Sequence, residues 1–453
     1  MISLWFGAAL LDAGWAEKVR FTIESGRIDR IDVGVEAAPR DEPHAVALPG
    51  VPNVHSHAFQ RAMAGLTESA GPGADSFWTW RNLMYRFVER LDPEDLEAIS
   101  ALAFAEMLET GFTRVGEFHY LHHDRDGAPY ANLGELAERI AAAAQDTGIG
   151  LTLLPVFYAH SNFGGVPPGA AQRRFINDLD RFAQLLEGSR RAVHALDGAR
   201  VGVAPHSLRA VTAQELASLV SLAPDAPLHL HIAEQVKEVN DCIAWCGRRP
   251  VDWLLDHQPV DERWCLVHAT HVNAEEAHRL AASAAVVGLC PITEANLGDG
   301  IFPTSEYLGA GGACAIGTDS NVLVNAAEEL RTLEYAQRLT HRRRNVLARG
   351  REHSTGRRLL ESTVAGGAQA LGVDRRGLVV GADADIVSLD TAHDALLDRQ
   401  GDAVLDSWIF AARVAPIDCV WRYGRKVVSG GRHIRRDAIT ARYRRVLAGL
   451  LGA

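Results

Sequence analysis

Cysteine is scarce in this sequence, with six residues among 453 and no C-x-x-C pair. Cys242 and Cys246 lie at the i,i+4 spacing of a helix, and the other four lie within apolar runs. Disulfide frameworks and thiolate metal sites use closely spaced cysteine pairs, whereas this pattern is typical of reduced, buried thiols. We therefore expect a cytoplasmic protein.

Basic residues and long apolar runs are also in short supply. The 46 Lys and Arg are outnumbered by 57 Asp and Glu, which gives a formal net charge of −11 at pH 7. An acidic chain is a poor partner for nucleic acid or an anionic membrane, and the three arginines at 342–344 fit a solvated helix face. The N-terminus MISLWFGAALLDAGW lacks a basic segment, and no charge-free apolar stretch reaches the length of about 18 residues that a transmembrane helix needs. We expect neither a signal peptide nor a membrane span.

What the sequence does contain is a regular alternation of apolar runs and helical segments. Helix starts are readable at Asp92-Pro93-Glu94 and at Thr212, which has Glu215 in capping-box spacing. The runs are almost continuously apolar, as strands buried on both faces should be. The eight runs are VALPGVPNVHSH, TRVGEFHY, GIGLTLLPVFY, ARVGVAPHS, APLHLHIAE, RWCLVHAT, AAVVGLCPIT and GACAIGTDSN.

This alternation predicts an α/β fold, a distorted (β/α)8 TIM barrel. A doubly wound open sheet is the alternative, but no glycine-rich phosphate loop follows the first run. Both chain ends read as strands, with a hairpin turn at Glu24-Ser25-Gly26 and a strand-like segment GLVVGADADIVSLD. We therefore predict a small β-sandwich module formed by residues 1–48 and 376–453 around a barrel at 49–375, with a terminal helix in RRDAITARYRRVLAGL.

Polar side chains stand where the predicted barrel strands end. They are His55 and His57 on the first strand, His229, His231 and Glu234 on the fifth, His268 on the sixth and Asp319 on the eighth. Active sites of such barrels form at the carboxyl ends of the strands, so these groups should meet at one mouth. Imidazoles with one carboxylate suit Zn²⁺. His229 shares a strand face with His231, so the pattern alone leaves open which of the two binds.

A second histidine cluster lies at His119, His122 and His123. It could indicate a second metal, but no bridging carboxylate or lysine accompanies it, so we expect a single ion. Trp78 and Trp80 flank Arg81 in SFWTWRN. These two rings could form an apolar lid over the site, or could simply pack beneath a loop.

The motifs LPGVPNVHSH, HIAE, His268, GTDSN and GLVVGADADIVSLD resemble the amidohydrolase superfamily along nearly the whole chain. Within it, the sequence resembles the mononuclear deaminase branch, because strand 4 ends in Val203-Ala204-Pro205 where the binuclear branch has a bridging lysine. NVHSHAFQRAMAGL, TRVGEFHYLHHD and VAPHSLRAV are similar to the formimidoylglutamate deiminase family. Ser56 stands where related deaminases usually carry Thr.

The resemblance implies a role for each site residue and one divalent metal, which we expect to be Zn²⁺. The implied metal ligands are His55, His57, His231 and Asp319. Glu234, His268 and Asp319 would be the catalytic, proton-transferring groups. The implied substrate contacts are Gln60, Arg81, Tyr120, His206 and Arg209.

The implied reaction is hydrolysis of N-formimino-L-glutamate to N-formyl-L-glutamate and ammonia, by a homodimer, as in histidine degradation. The substrate is a small dianion, for which arginine forks are natural partners. The alternatives are a deaminase of a nucleobase or another amidine, or a barrel that no longer catalyses and serves as a structural partner.

Overall fold

Strands and helices alternate through the middle of the chain, as the apolar runs predict. The computed structural model describes residues 1–69, 76–348, 350 and 354–452. Its strands are β1 Ile2–Leu11, β2 Gly14–Glu24, β3 Arg27–Asp32, β4 Glu42–Pro49, β5 Val51–Ser56, β6 Phe112–His119, β7 Gly150–Phe157, β8 Arg200–Val201, β9 Ala204–Pro205, β10 Leu228–Ile232, β11 Trp264–His268, β12 Val286–Leu289, β13 Ala313–Ile316, β14 Ile386–Leu389, β15 Ile417–Arg422, β16 Arg425–Ser429 and β17 Arg432–His433.

The helices begin where capping residues stand. The Asp92 carboxylate accepts the Asp95 N–H at 2.8 Å, and Thr212 and Glu215 form the reciprocal capping box that their spacing predicts. The helices are α1 Phe77–Val88, α2 Pro93–Glu109, α3 Glu135–Thr147, α4 Leu179–Val193, α5 Ala213–Leu222, α6 Val236–Cys246, α7 Pro250–His257, α8 Ala274–Ala282, α9 Pro291–Leu297, α10 Thr304–Gly309, α11 Ala326–His341, α12 Thr355–Ala370, α13 Asp402–Phe410 and α14 Arg436–Gly452, with short 3₁₀ helices at Ala58–Met63 and Ala170–Gln172.

Parallel pairing closes the middle strands into a barrel. One sheet runs β5-β6-β7-β8 and another β10-β11-β12-β13, and the bridges Val203–Leu228 and Ser56–Asp319 join them on both sides. The fourth strand is split into β8 and β9, which both pair with β7. The predicted distorted (β/α)8 barrel is therefore confirmed, and each of the eight apolar runs contains a barrel strand.

Both chain ends build one β module, as predicted. Within the described residues its strands follow the order β17-β16-β15-β14-β4-β1-β2-β3. The sheet curls back on itself, because Ile28 N–H donates to Ala382 O at 3.0 Å and Ala384 N–H donates to Gly26 O at 2.9 Å. The curled sheet encloses a core of its own, which includes Phe6 and Trp421 with ring centres 5.9 Å apart.

Two aspartates of the GLVVGADADIVSLD segment tie this module to the amino-terminal face of the barrel. Asp383 accepts a hydrogen bond from Arg114 of β6 at 3.2 Å. The Asp385 side chain accepts the Tyr423 N–H at 2.9 Å, and its carbonyl accepts the Gly50 N–H at 3.0 Å. Because Gly50 directly precedes β5, these bonds fix where the first barrel strand begins.

Other expectations from composition can be compared directly with the structure. All six cysteines are free thiols, and all but the half-buried Cys246 are buried. None of the helices in the described residues combines the length and hydropathy needed to span a bilayer. The arginines at 342–344 are exposed but follow the end of α11 at His341, so their placement on a helix face was wrong.

Candidate active site at the barrel mouth

Four of the predicted ligand side chains converge at the carboxyl ends of the barrel strands. His55 Nε2 lies 3.2 Å from His57 Nε2 and 3.0 Å from His231 Nε2. Asp319 Oδ1 lies 3.3 Å from His55 Nε2 and 3.2 Å from His57 Nε2. Tetrahedral zinc with Zn–N of about 2.0–2.1 Å places its donor atoms roughly 3.3 Å apart. The observed spacing therefore fits one tetrahedral metal ion.

Backbone carbonyls orient two of these imidazoles. His57 Nδ1–H donates to Phe118 O at 3.0 Å, and His231 Nδ1–H donates to His206 O at 3.0 Å. A carbonyl oxygen can only accept, so the proton sits on Nδ1 and the Nε2 lone pair points at the cluster. Both rings are thereby held in the tautomer that binds a metal.

A buried amide network joins the first and eighth strands beneath the cluster. Asn321 Nδ2 lies 3.1 Å from Ser56 Oγ, 3.1 Å from His57 O and 3.0 Å from Asp319 O. Asn53 Nδ2 donates to Thr318 Oγ1 at 2.7 Å. These contacts lock the two strands that carry His55, His57 and Asp319 in register.

Three histidines whose role the sequence left open, His229, His122 and His123, bond to backbone carbonyls and not to this cluster. His229 Nε2–H donates to Ala370 O at 2.7 Å, so the ring faces the helix layer and not the cluster. His122 and His123 donate to the backbone carbonyls of Val156 and Ile176, both at 2.9 Å. Of the two β10 histidines, His231 is the one that joins the cluster, and the His119, His122 and His123 group forms no metal cluster among the described residues.

His268 stands beside the cluster between three carboxylates. Its Nδ1 lies 3.2 Å from Glu294 Oε1, and its Nε2 lies 3.9 Å from both Glu234 Oε1 and Asp319 Oδ2. Burial lowers the pKa of His268, but these carboxylates outweigh burial and raise the pKa to about 10. The three carboxylates therefore favour the charged form of the imidazole. Cys290, the other neighbour of His268 and Asp319, stays protonated because burial raises its thiol pKa well above the usual value.

The pKa values of the two carboxylates that the sequence predicts to be catalytic, Glu234 and Asp319, are shifted in opposite directions. Burial raises the pKa of Glu234, and the Asp319 charge adds to that effect. Burial would also raise the pKa of Asp319, but the adjacent His55 and His57 imidazoles outweigh it and hold the pKa well below its usual range. The surroundings therefore shift Glu234 toward its protonated form and Asp319 toward its ionised form, a separation typical of acid–base sites.

Strained backbone marks the same region. Ala233, His268 and Asp319 have φ of 50°, 68° and 44°, in the left-handed region that non-glycine residues rarely adopt. Such residues persist where the surrounding contacts hold them, and they cluster at functional sites. At Ala233 the support comes from Glu238, whose carboxylate accepts the N–H groups of Ala233 and Glu234, both at 3.2 Å.

A cavity opens above the cluster at the mouth of the barrel. All five predicted substrate contacts line it, together with the aromatic side chains Phe77, Trp80, Tyr85, Tyr158 and Phe175. Gln60 Oε1, Arg81 Nε and Arg209 Nε are buried with no hydrogen-bond partner in the described part of the chain. Unsatisfied polar atoms in a cavity wall indicate that a polar ligand belongs there.

The two tryptophans of SFWTWRN lie on α1 and differ in their surroundings. Trp80 lines the cavity. Trp78 instead packs its indole against Arg81, whose Cζ lies 4.6 Å from the ring centre. Both rings are half-buried, and of the two only Trp80 contributes to the cavity wall described here.

Sequence reasoning missed the residues that support the site from behind. They are Asn53, Glu117, Glu238, Glu294 and Asn321. Asn53, Glu117 and Asn321 stand inside the quoted strings LPGVPNVHSH, TRVGEFHY and GTDSN, which was the available signal. The others lie in helices, where a single carboxylate carries no recognisable spacing.

Comparison with known protein families shows which family this chain belongs to. A model described as the amidohydrolase family matches residues 46–427, and one described as the N-terminal domain of formimidoylglutamate deiminase HutF matches residues 2–45. The chain belongs to the amidohydrolase family.

Individual proteins and solved structures are also similar to this chain. A formimidoylglutamate deiminase from Pseudomonas aeruginosa is 49% identical over 453 residues, covering 100% of both chains. The crystal structure of an amidohydrolase from Brucella melitensis is 56% identical, covers 100% of both chains and superposes with a TM-score of 0.97. The crystal structure of an adenosine deaminase from Xanthomonas campestris, solved with bound zinc, is 23% identical, covers 100% of this chain and 99% of its own, and shares the fold with a TM-score of 0.82.

Proposed function

We propose that this protein hydrolyses N-formimino-L-glutamate to N-formyl-L-glutamate and ammonia. The observation that carries the proposal is a cavity whose floor and wall hold different chemical groups. Its floor holds the His55, His57, His231 and Asp319 cluster, and its wall carries Arg81 and Arg209 without a carboxylate partner within 4.0 Å in the described residues. A cation site beside two unpaired guanidiniums suits a substrate that carries both a hydrolysable carbon and two carboxylates. The full-length relative from Pseudomonas aeruginosa supports the same activity.

The donor set supports a single divalent metal, and we propose Zn²⁺. Three neutral imidazole nitrogens and one carboxylate oxygen are typical zinc ligands. The Asp319 carboxylate has its pKa held well below the usual range, so it is ionised and ready to balance a cation. When bound, such a cation supplies the Lewis acidity that makes water a nucleophile near neutral pH.

Glu234 transfers protons in this reaction, and His268 stabilises charge beside it. The reaction joins water to the formimidoyl carbon, and the C=NH nitrogen leaves as ammonia once it has gained two hydrogens, while the carbon becomes the formyl carbonyl. Glu234 is buried and has a raised pKa, so its carboxyl can take a proton and return it to the departing nitrogen. The charged His268, 3.9 Å from Glu234, stabilises negative charge that develops beside it.

The arginines bind the two carboxylates. Arg209 is buried, and its Nε has no hydrogen-bond partner among the described residues. Burial lowers the pKa of Arg209, but Glu238 and Glu234 help to outweigh it and raise the pKa. Arg81 faces the same cavity from α1. Gln60 Nε2 donates to Tyr120 Oη at 2.9 Å, which leaves Gln60 Oε1 free to accept from a substrate N–H.

Purified, metal-analysed protein tests the proposal through ammonia release from N-formimino-L-glutamate, guanine and cytosine. We expect turnover of the first substrate alone. Release from a nucleobase instead would favour a nucleobase deaminase of the same branch, and no release from any substrate with a full metal complement would favour a non-catalytic barrel. His231→Ala is the matched control, because it removes a ligand side chain at the cavity floor.

We further propose a homodimer located in the cytoplasm. The reduced cysteines support that compartment. Sedimentation velocity of the metal-loaded protein tests the dimer, and a single species of about 49 kDa would contradict it.

A further inference from the structure

Three cationic groups surround the indole of Trp78. Arg81 Cζ lies 4.6 Å from the ring centre, Arg209 Cζ 5.9 Å and Lys237 Nζ 5.7 Å. They come from α1, from the segment after β9 and from α6, so one ring contacts three separate parts of the barrel mouth. We refer to Trp78, Arg81, Arg209 and Lys237 as the tryptophan-centred cluster.

The charges of this cluster are unevenly compensated. Lys237 pairs with Asp241 at 2.6 Å, whereas neither guanidinium has a carboxylate within 4.0 Å in the described residues. Two like charges that face a buried cavity repel each other more strongly than they would in water. An indole face carries partial negative charge and attracts cations within about 6 Å, so Trp78 offsets part of this repulsion.

The ring also fixes where the guanidiniums lie. Arg81 is flanked on its own helix by Trp78 and by Tyr85, whose ring centre is 5.5 Å from Arg81 Cζ. Because the same indole approaches Arg209, the two arginines are held in one arrangement before any ligand arrives. Trp80, two residues along α1, lines the cavity, but no cation of the described chain lies over its ring.

We propose that Trp78 is a positioning residue that sets specificity for ligands with two carboxylates, by holding Arg81 and Arg209 preorganised around its ring. This inference rests on the proposed function, since it assigns the residue that spaces the two carboxylate-binding groups. Preorganisation lowers the ordering cost of binding, so it acts on affinity for the dianion and leaves the reacting end untouched.

Kinetics of Trp78→Leu and Trp78→Phe with two substrates test this role. N-formimino-L-glutamate carries two carboxylates, and N-formimino-L-alanine carries one. In Trp78→Leu we expect KM for the glutamate substrate to rise about tenfold, the size of a partly buried cation–π contact, with kcat within about twofold. The KM for the alanine substrate should rise much less. Trp78→Phe keeps an aromatic face, so its KM for the glutamate substrate should rise less than that of Trp78→Leu.

Several results would overturn the proposal. An equal rise in KM for both substrates would indicate simple packing, as would a Trp78→Phe variant no better than Trp78→Leu. A fall in kcat at constant KM would place Trp78 at the reacting end instead. Trp245→Leu is the matched control, because Trp245 is 42% exposed, stacks on Phe163 and lies outside the residues that line the cavity.

Calorimetry with glutarate separates this inference from the proposed function. Glutarate has two carboxylates and no reacting group, so its binding is measured without turnover. We expect Trp78→Leu to bind glutarate about tenfold more weakly than the unmodified protein. That result supports the inference even if no ammonia is released from N-formimino-L-glutamate. Equal binding by the two proteins, or no binding by the unmodified protein, would refute it.

Discussion

At the scale of single residues, the site depends on side chains that face the cavity and on others that stand behind it. Arg209 is of the first kind, since it is only 5% exposed and has no ion-pair partner among the described residues. Asn321 is of the second kind, since it is fully buried and contacts the strands that carry the ligands. Replacing each type should therefore affect a different step.

Arg209→Ala should weaken substrate use and leave metal binding intact. Loss of a buried partner for a carboxylate reduces kcat/KM by an amount equivalent to about 2–5 kcal/mol. Steady-state kinetics with N-formimino-L-glutamate measures the change, and Arg344→Ala, at an exposed position, is the control. Unchanged kinetics would remove Arg209 from the substrate site.

Asn321→Ala should weaken the metal site. The amide near Ser56 Oγ, His57 O and Asp319 O would be lost, and supporting contacts of this kind are worth about 10–100-fold in metal affinity. Competition with a chelating dye measures the affinity. Asn296→Ala removes an exposed amide bonded to Glu68 and should have no effect. Equal affinity in both variants would contradict the role given to Asn321.

At the scale of elements, close packing between β5 and the end of the eighth strand sets the metal site. A Cβ at Gly317 would lie 2.8 Å from both the backbone N and O of His55, closer than real contacts allow. Because the atoms are backbone, relief requires the strands themselves to move apart. Gly317 is therefore needed for the eighth strand to pack this closely against β5, which carries His55.

Gly317→Ala should therefore lower both the unfolding free energy and the affinity for the metal. Overpacking of this kind costs about 1–3 kcal/mol of unfolding free energy. Chemical denaturation and metal competition on the same samples check both effects. Gly309→Ala is the control, since a Cβ there meets no atom within 4 Å. A stable Gly317→Ala protein with normal metal affinity would show that the strands tolerate the methyl group.

The β module should lose stability in acid through Asp41. A hydrogen bond from Arg20, with others from Ser3 and the Ala38 N–H, holds the pKa of Asp41 well below its usual range. A pKa lowered by folding stabilises the protein fully at pH values above the unfolded pKa of about 3.9, and that stability declines below this value and is lost as pH falls through the lower folded pKa.

Thermal melts of Asp41→Asn check this sign. We expect the variant to melt below the unmodified protein at pH 7 and to approach it at pH 3. Asp12→Asn, at an exposed position, should show no such convergence. A gap between the Asp41→Asn variant and the unmodified protein that stays constant from pH 7 to pH 3 would rule out a charge effect at Asp41.

The sequence predicts the strands better than it predicts their boundaries and the long-range contacts between them. Strands buried on both faces are continuous apolar runs, so all the barrel strands are visible. The first run nevertheless contains parts of two strands, β4 and β5, because Gly50 between them gives no polar interruption. The proposed metal ligands are visible because they are the polar residues at the ends of those runs. Asn53 and Thr318 bond across 265 residues, and no local spacing reveals such a contact.

At the scale of the whole molecule, the cation site joins distant parts of the barrel. Its ligand residues come from β5, from β10 and from the turn after β13. Their atoms lie within hydrogen-bonding distance of one another only when the barrel is closed. Metal binding and closure of the barrel should therefore stabilise each other.

Removing the metal should lower the melting temperature of the entire chain. Binding to the folded state alone adds about 2.7 kcal/mol of stability when free metal is a hundred times Kd. Scanning calorimetry before and after dialysis against a chelator measures the loss, and re-addition of Zn²⁺ should restore it. His231→Ala should show little response to the chelator. A melting temperature insensitive to the chelator would contradict coupling between the ion and the barrel.

The curled β module has a consequence for how the chain is made. His44 on β4 bonds to Asp418 at 2.7 Å across 374 residues, and β4 pairs with β14. As the polypeptide leaves the ribosome, β4 emerges with its β14-facing edge unpaired, and the partner arrives only after the barrel has been translated. An unpaired strand edge is prone to aggregate. Nascent chains stalled before β14 should therefore depend on chaperones, and release of the final strands should end that dependence.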